Sequence, residues 1–158
     1  MKGAVSTVIA LLLIAWIIVS IRNKLTSHKK ETWPTYAKKL MSAPEQVLYY
    51  RLINAFPEYL VFPQVQVSRF LGIKKGHNFG KWFNRINRLS ADFVICNKDS
   101  SIIAVIELDD STHNTQERKI TDAKKDNAIQ AAGLRIIRLE AKQLPSESTL
   151  TKLIGKNS

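Results

Sequence analysis

The chain has 158 residues and a formal net charge of +11, from 24 Lys/Arg against 13 Asp/Glu. That length suits one domain with an appendage, and the charge points to an anionic partner, nucleic acid or acidic lipid, without choosing between them. A single cysteine, Cys96, excludes a disulfide framework within the chain, and no Cys/His group has zinc-site spacing.

Gly3 to Ile21 carries no charged residue and is rich in Val, Ile, Leu and Ala. As a helix it would rise roughly 28 Å at about 1.5 Å per residue, close to the hydrocarbon thickness of a bilayer. The run ends Ile18-Val19-Ser20-Ile21-Arg22, without the small residues of a signal-peptide cleavage site, so residues 1–21 are expected to be an uncleaved transmembrane anchor. Only Lys2 and the terminal amine precede it, whereas Arg22, Lys24, Lys29 and Lys30 follow, which puts the C-terminal part on the cytoplasmic side of an inner or plasma membrane. Residues 22–41 are polar, basic and contain Pro34, and read as a juxtamembrane linker whose cations satisfy topology or hold anionic lipid.

Ser42 and Glu45 have capping-box spacing and Pro44 falls in the first turn, so a helix begins there. Its apolar face is Leu48, Tyr49, Leu52, Ala55 and Phe56, and Glu45 lies on the same side, as a cap or as a carboxylate facing a site. Pro57 stops the helix. Tyr59 to Phe70 is β-branched and aromatic and reads as a strand, bent or edge-placed at Pro63. Residues 71–90 contain Gly72, Gly76 and Gly80 and read as a loop. From Arg69 to Arg88 there are six cations, Arg69, Lys74, Lys75, Lys81, Arg85 and Arg88, and no acid, with Phe79, Trp82 and Phe83 among them. Cations for phosphate beside aromatics for stacking suit nucleic acid; a solvated loop with its aromatics in the core is the alternative.

Ser90 to Asn97 is the second strand, with Asp92, Val94 and Cys96 on one face. Asn97 to Ser101 is a turn. Ile102 to Asp109 is the third strand, apolar on both faces until Glu107 and Asp109 emerge side by side. Two like charges leaving a core cost free energy unless something pairs with them, and a divalent cation would serve. Thr115 to Ala132 reads as a helix closed by Gly133, Leu134 to Leu139 as a further strand, and Thr149 to Ile154 as a short helix in a tail from 146 to 158. The expected fold is α/β, in the order αβββαβ, with a mixed central sheet flanked by helices over residues 42–145.

Asp92 and Glu107 on adjacent strands can share one ion only if the hairpin register places them opposite one another. Hard oxygen ligands of this kind suit Mg²⁺ or Mn²⁺, and phosphodiester hydrolysis needs such an ion together with a base.

This arrangement resembles the PD-(D/E)XK, restriction-endonuclease-like superfamily. Within it, Ser42 to about Pro145 resembles domain-of-unknown-function family 2726. The residues that carry the resemblance are Tyr59-Leu60-Val61-Phe62-Pro63, Ile86-Asn87-Arg88, Asp92-Phe93-Val94-Ile95-Cys96, Val105-Ile106-Glu107-Leu108-Asp109-Asp110, His113, Asp122, Lys125-Asp126, and Ala132-Gly133-Leu134 with Arg138. The run from Glu107 to His113 is also similar to very-short-patch-repair-type endonucleases. The resemblance implies a divalent-metal-dependent nuclease acting on DNA. Asp92 and Glu107 match metal-binding carboxylates, and Glu45 matches the first-helix glutamate that some members use. Asp109 stands where the family's lysine usually stands, a departure that leaves three outcomes. Lys125 supplies the cation, His113 takes the role of base, or the domain is inactive. The expected site is therefore Asp92, Glu107, Asp109, His113 and Lys125, with Asp92, Glu107 and Asp109 toward metal and Glu45 and Asp122 as auxiliaries. A non-catalytic module binding nucleic acid or protein, and a membrane protein whose basic surface serves lipid headgroups, are the rival classes.

Overall fold

The computed structural model describes the backbone of residues 2–26, 32–109 and 116–155. The chain divides into two compact units, Met1–Lys38 and Lys39–Ser158.

The first unit holds α1, Lys2–Thr26, whose described side chains, residues 9–24, are exposed. Leu11, Leu12 and Trp16 are each at least 65% accessible. Among the described residues no helix is long and apolar enough to cross a membrane.

In the second unit, α2 (Ala43–Ala55) starts at the expected place: the Glu45 carboxylate accepts from the Ser42 amide at 2.5 Å, completing the capping box, with proline inside the first turn. β1 (Leu60–Gln66), β2 (Ser90–Cys96), β3 (Ile102–Asp109) and β4 (Ile136–Glu140) form one sheet in that order. The first two pairings are antiparallel and β3–β4 is parallel, joined through α4 (Gln116–Ala131). The sheet is thus α/β and mixed, as expected.

Its two faces bury different sets. Phe93, Ile95, Ala104, Ile106, Ile137 and Leu139 pack with Leu48 and Leu52 of α2 and with Leu150 and Ile154 of α5 (Glu147–Ile154). Ala91, Val94, Cys96 and Val105 pack with Ile129 of α4. The helix expected within the 146–158 tail is therefore built into the core beyond residue 145. Cys96 is a buried thiol, which burial raises above its ordinary pKa.

One strand departs from regular alternation, and one local expectation is corrected. The alternation in β3 fails at its start: the register shifts at Ile95/Cys96, so Ile102 rather than Ile103 opposes Cys96 and joins the α4 face, while Ile103 packs on the α2/α5 face. Residues 71–90 are not a loop throughout. After a 3-10 turn, Val67–Arg69, the helix α3 covers Phe79–Ile86, capped by the Asn78 side chain accepting from the Lys81 amide at 2.9 Å. Gly133 has φ +77°, and the amide of Leu134 donates to the Ile129 carbonyl at 3.2 Å, closing α4 as a left-handed cap.

Candidate functional site

The register decides which side chains meet. Continuing the Phe93–Ile106 pairing by one residue puts Asp92 opposite Glu107. Gln64 lies between the Pro63–Phe93 and Val65–Ala91 pairs, opposite Asp92. Glu107 is the parallel partner of Arg138. Gln64, Asp92, Glu107 and Arg138 therefore form one polar row across all four strands, set between the core residues Phe93 and Ile106 on one side and Ala91 and Leu139 on the other. Laterally paired residues share a face, and on β2, β3 and β4 that is the face packed by α4.

Glu107 is the most deeply placed, only 3% exposed. One of its oxygens, Oε2, accepts from Nζ of Lys125 on α4, which also donates to the Ser90 carbonyl at 3.2 Å. The other, Oε1, is buried with no protein partner among the described residues. An orphaned carboxylate oxygen beside a second carboxylate is a place where a cation can replace lost water. Burial pushes the Glu107 carboxyl up to about 7; Lys125 opposes the shift and the neighbouring Asp92 adds to it.

Asp92 is half-buried, and its Oδ2 accepts from the Leu108 amide at 2.7 Å. Its carboxyl is also raised, chiefly by burial, against the Leu108 hydrogen bond and Lys125, with Glu45 and Asp109 contributing repulsion. Glu45 both caps α2 and holds this row, since its Oε1 accepts from Gln64 Nε2 at 2.8 Å. Gln64 itself has φ +52°, an uncommon conformation for a residue with a Cβ, placed where the polar row begins.

Asp109 is turned to Arg138, whose guanidinium spans Asp109 Oδ1 at 2.6 Å and Asp126 Oδ1 of α4 at 2.7 Å. Burial disfavours the Arg138 charge, but the hydrogen bond to Asp126 and the charges of Asp109, Asp126 and Glu107 outweigh it and raise its pKa. The structure thus brings together Asp92, Glu107, Lys125 and Glu45 and engages Asp109 in an ion pair. Lys125 is paired with Glu107, not with Asp122 or Asp126 on its own helix. Asp122 is half-buried on α4. His113 and Asp110 lie outside the described residues, among which no group of three His, Cys, Asp or Glu is disposed to hold a metal. Two carboxylates still suit Mg²⁺, which keeps several waters and takes one or two carboxylates from protein.

Arg138 and Gln64 were not among the expected site residues. Arg138 had a signal: in Ile136-Ile137-Arg138-Leu139 a charge interrupts an apolar strand. Gln64 had none, because only the sheet register assigns it to the row.

The cations from Arg69 to Arg88 are all exposed. Lys81 and Arg85 lie on α3, with the Arg85 guanidinium 4.6 Å from the centre of the Trp82 ring. Phe79 and Trp82 are 63% and 40% exposed, so the core does not absorb them. Phe79 stacks on Phe83 at 5.2 Å.

No curated protein and no solved structure matches the chain. A family described as a protein of unknown function, DUF2726, matches residues 37–157, a stretch that contains the whole sheet and both sides of the polar row. The chain belongs to the DUF2726 family.

Proposed function

We propose that the protein is a divalent-metal-dependent nuclease of PD-(D/E)XK type, hydrolysing DNA phosphodiester bonds and held at a membrane by its N-terminal helix. The observation that carries this reading is the buried, unpartnered Oε1 of Glu107 in register with Asp92 and paired through Oε2 with Lys125. A charge kept so far from water is costly unless the site has a use for it.

Asp92 and Glu107 are the residues that would hold Mg²⁺ or Mn²⁺. When bound, the cation supplies charge neutralisation at the phosphate and lowers the pKa of a bound water. The remaining work falls to the chain. The Leu108 amide fixes the Asp92 carboxylate in place. Lys125 fills the cationic role that Asp109 cannot: Ser90 and Glu107 account for two of its three N–H donors, and the third suits a phosphate oxygen. Its position on α4 replaces the strand lysine of the related pattern. Arg138 ties Asp109 to Asp126 and so keeps a third negative charge paired beside the site. His113 is the proposed proton acceptor. Arg69, Lys74, Lys75, Lys81, Arg85 and Arg88 supply exposed charge for the phosphate backbone.

The anchor is supported by the charge-free run Gly3–Ile21 and by the exposed apolar side chains of α1; the flanking cations favour a cytoplasm-facing domain. Asp109 at the usual lysine position favours a second reading, an inactive nuclease-fold module that binds nucleic acid or a protein partner at the membrane.

The full chain, purified in mild detergent, is incubated with single- and double-stranded DNA in Mg²⁺, Mn²⁺ or EDTA. Cleavage that needs the metal and falls at least a hundredfold in both Asp92→Asn and Glu107→Gln supports the enzyme. Salt-sensitive DNA binding without cleavage in any metal supports the inactive module instead.

A further inference from the structure

α4 presents two adjacent stripes. Lys125 and Ile129 face the sheet, one at the polar row and the other in the core. Lys124, Asn127, Ala128 and Ala131, spaced three and four apart, line a cavity of about 410 Å³ on the side of α3. That volume falls within the roughly 300–1,000 Å³ of small-molecule sites. The opposite wall comes from the segment before α3 and from α3 itself, with Leu71, Ile73, Trp82 and Ile86. The walls are mostly apolar, and the polar groups are nearly all of one sign: Lys74, Arg85 and Lys124, with His77 beside Trp82. No acidic side chain among the described residues lines it.

We propose that this cavity binds a nucleotide: a nucleobase unstacked from its strand enters against Trp82, and Lys74, Arg85 and Lys124 hold the phosphate. The inference rests on the nuclease reading for its biological substrate, and it adds a base-holding site that the phosphodiester chemistry does not require. Three features favour this occupant. Cations at an apolar cavity complement a group that is flat and apolar at one end and anionic at the other. Stacking on an aromatic side chain stabilises a base whatever its identity, because every base has a π face. Asn127 offers both a donor and an acceptor to a base edge. The cavity and the polar row share α4: Lys124 and Ala128 line the cavity, and the adjacent Lys125 pairs with Glu107. The apolar wall serves for a base what a wholly solvated basic surface does not provide, a place that excludes water from the ring.

The test uses the full chain carrying Trp16→Phe and Trp33→Phe, which leaves Trp82 as the fluorophore of a chain with three tryptophans. Deoxyadenosine 5′-monophosphate is titrated in metal-free buffer, against deoxyribose 5-phosphate, inorganic phosphate and dispersed short-chain phosphatidylglycerol. The expected result is saturable quenching by the nucleotide, at least tenfold weaker binding of deoxyribose 5-phosphate, loss of binding in Ala128→Leu, and at least fivefold weakening in Lys124→Glu. Two variants are used so that a folding defect in one does not decide the matter, and circular dichroism checks each. Absence of saturable quenching, equal binding of the nucleotide and the bare sugar phosphate, or quenching by the lipid alone overturns the proposal. These arms need no cleavage, so the two readings fail separately. Nucleotide binding in a protein that never cuts DNA sinks the nuclease and keeps the cavity, whereas metal-dependent cutting without nucleotide binding does the reverse.

Discussion

Two lysine–glutamate pairs sit at different parts of the sheet. Lys98 and Glu58 meet at 2.8 Å with side chains 73% and 77% exposed. Lys125 and Glu107 meet with side chains 11% and 4% exposed. The first is an ordinary surface pair, screened by water and salt, and contributes little. The second has removed two charges from water, a penalty that attraction alone often fails to offset. Folding therefore gives no reason to prefer it to an apolar pair. Its surroundings supply a different reason, since Asp92, Glu45 and Arg138 converge on the same end of the sheet.

Breaking the buried pair has the largest expected effect. Lys125→Met leaves Glu107 buried without its cation and costs about 3–5 kcal/mol at pH 8, measured by denaturant unfolding. At pH 5 the loss shrinks, because Glu107 is then protonated. Lys125→Met combined with Glu107→Leu recovers most of the stability, since a buried pair replaced by apolar groups is often neutral or better. A core truncation of comparable cost, Phe93→Ala at about 3–5 kcal/mol, lacks that pH dependence, which separates electrostatic from packing loss.

Next in size is the pH response of the metal-free protein. The Glu107 carboxyl rises from 4.5 to about 7 on folding. Its contribution to stability is fully present below pH 4.5 and is lost as pH rises through about 7, and Asp92, also raised, acts in the same sense. Thermal unfolding in EDTA should therefore show a decline between pH 5 and pH 8 that Glu107→Gln flattens. A smaller effect is expected at Gly133, where φ is +77°. Gly133→Ala strains the cap of α4 and costs about 1 kcal/mol or somewhat more in urea unfolding. The smallest belongs to the exposed pair: Lys98→Ala should leave the urea midpoint unchanged.

Much of the fold was legible because local rules and burial agreed. Ser42 and Glu45 marked the start of α2, Gly133 marked the end of α4, and the apolar strands announced themselves. What stayed hidden was non-local or contradictory. Three glycines in residues 71–90 masked α3, although Phe79, Trp82, Phe83 and Ile86 had helical spacing and Asn78 was a capping residue. The shift at Ile95/Cys96 belongs to a pairing and leaves no mark on either strand alone. The site was half legible in the same sense. Acidic residues at strand ends named Asp92, Glu107 and Asp109. The choice of Glu107 over Asp122 and Asp126 as the partner of Lys125, and the capture of Asp109 by Arg138, depend on how α4 settles on the sheet.

The polar row is proposed to bind a divalent cation through Asp92 and Glu107. The direct measurement is calorimetric titration of Mn²⁺ into the metal-free full chain at pH 6 and pH 8. The predicted result is a saturable site that tightens at least tenfold at the higher pH, as carboxylates lose the protons that compete with metal, and that disappears in Glu107→Gln. No saturable binding at either pH, or binding that survives Glu107→Gln and Asp92→Asn unchanged, would contradict it.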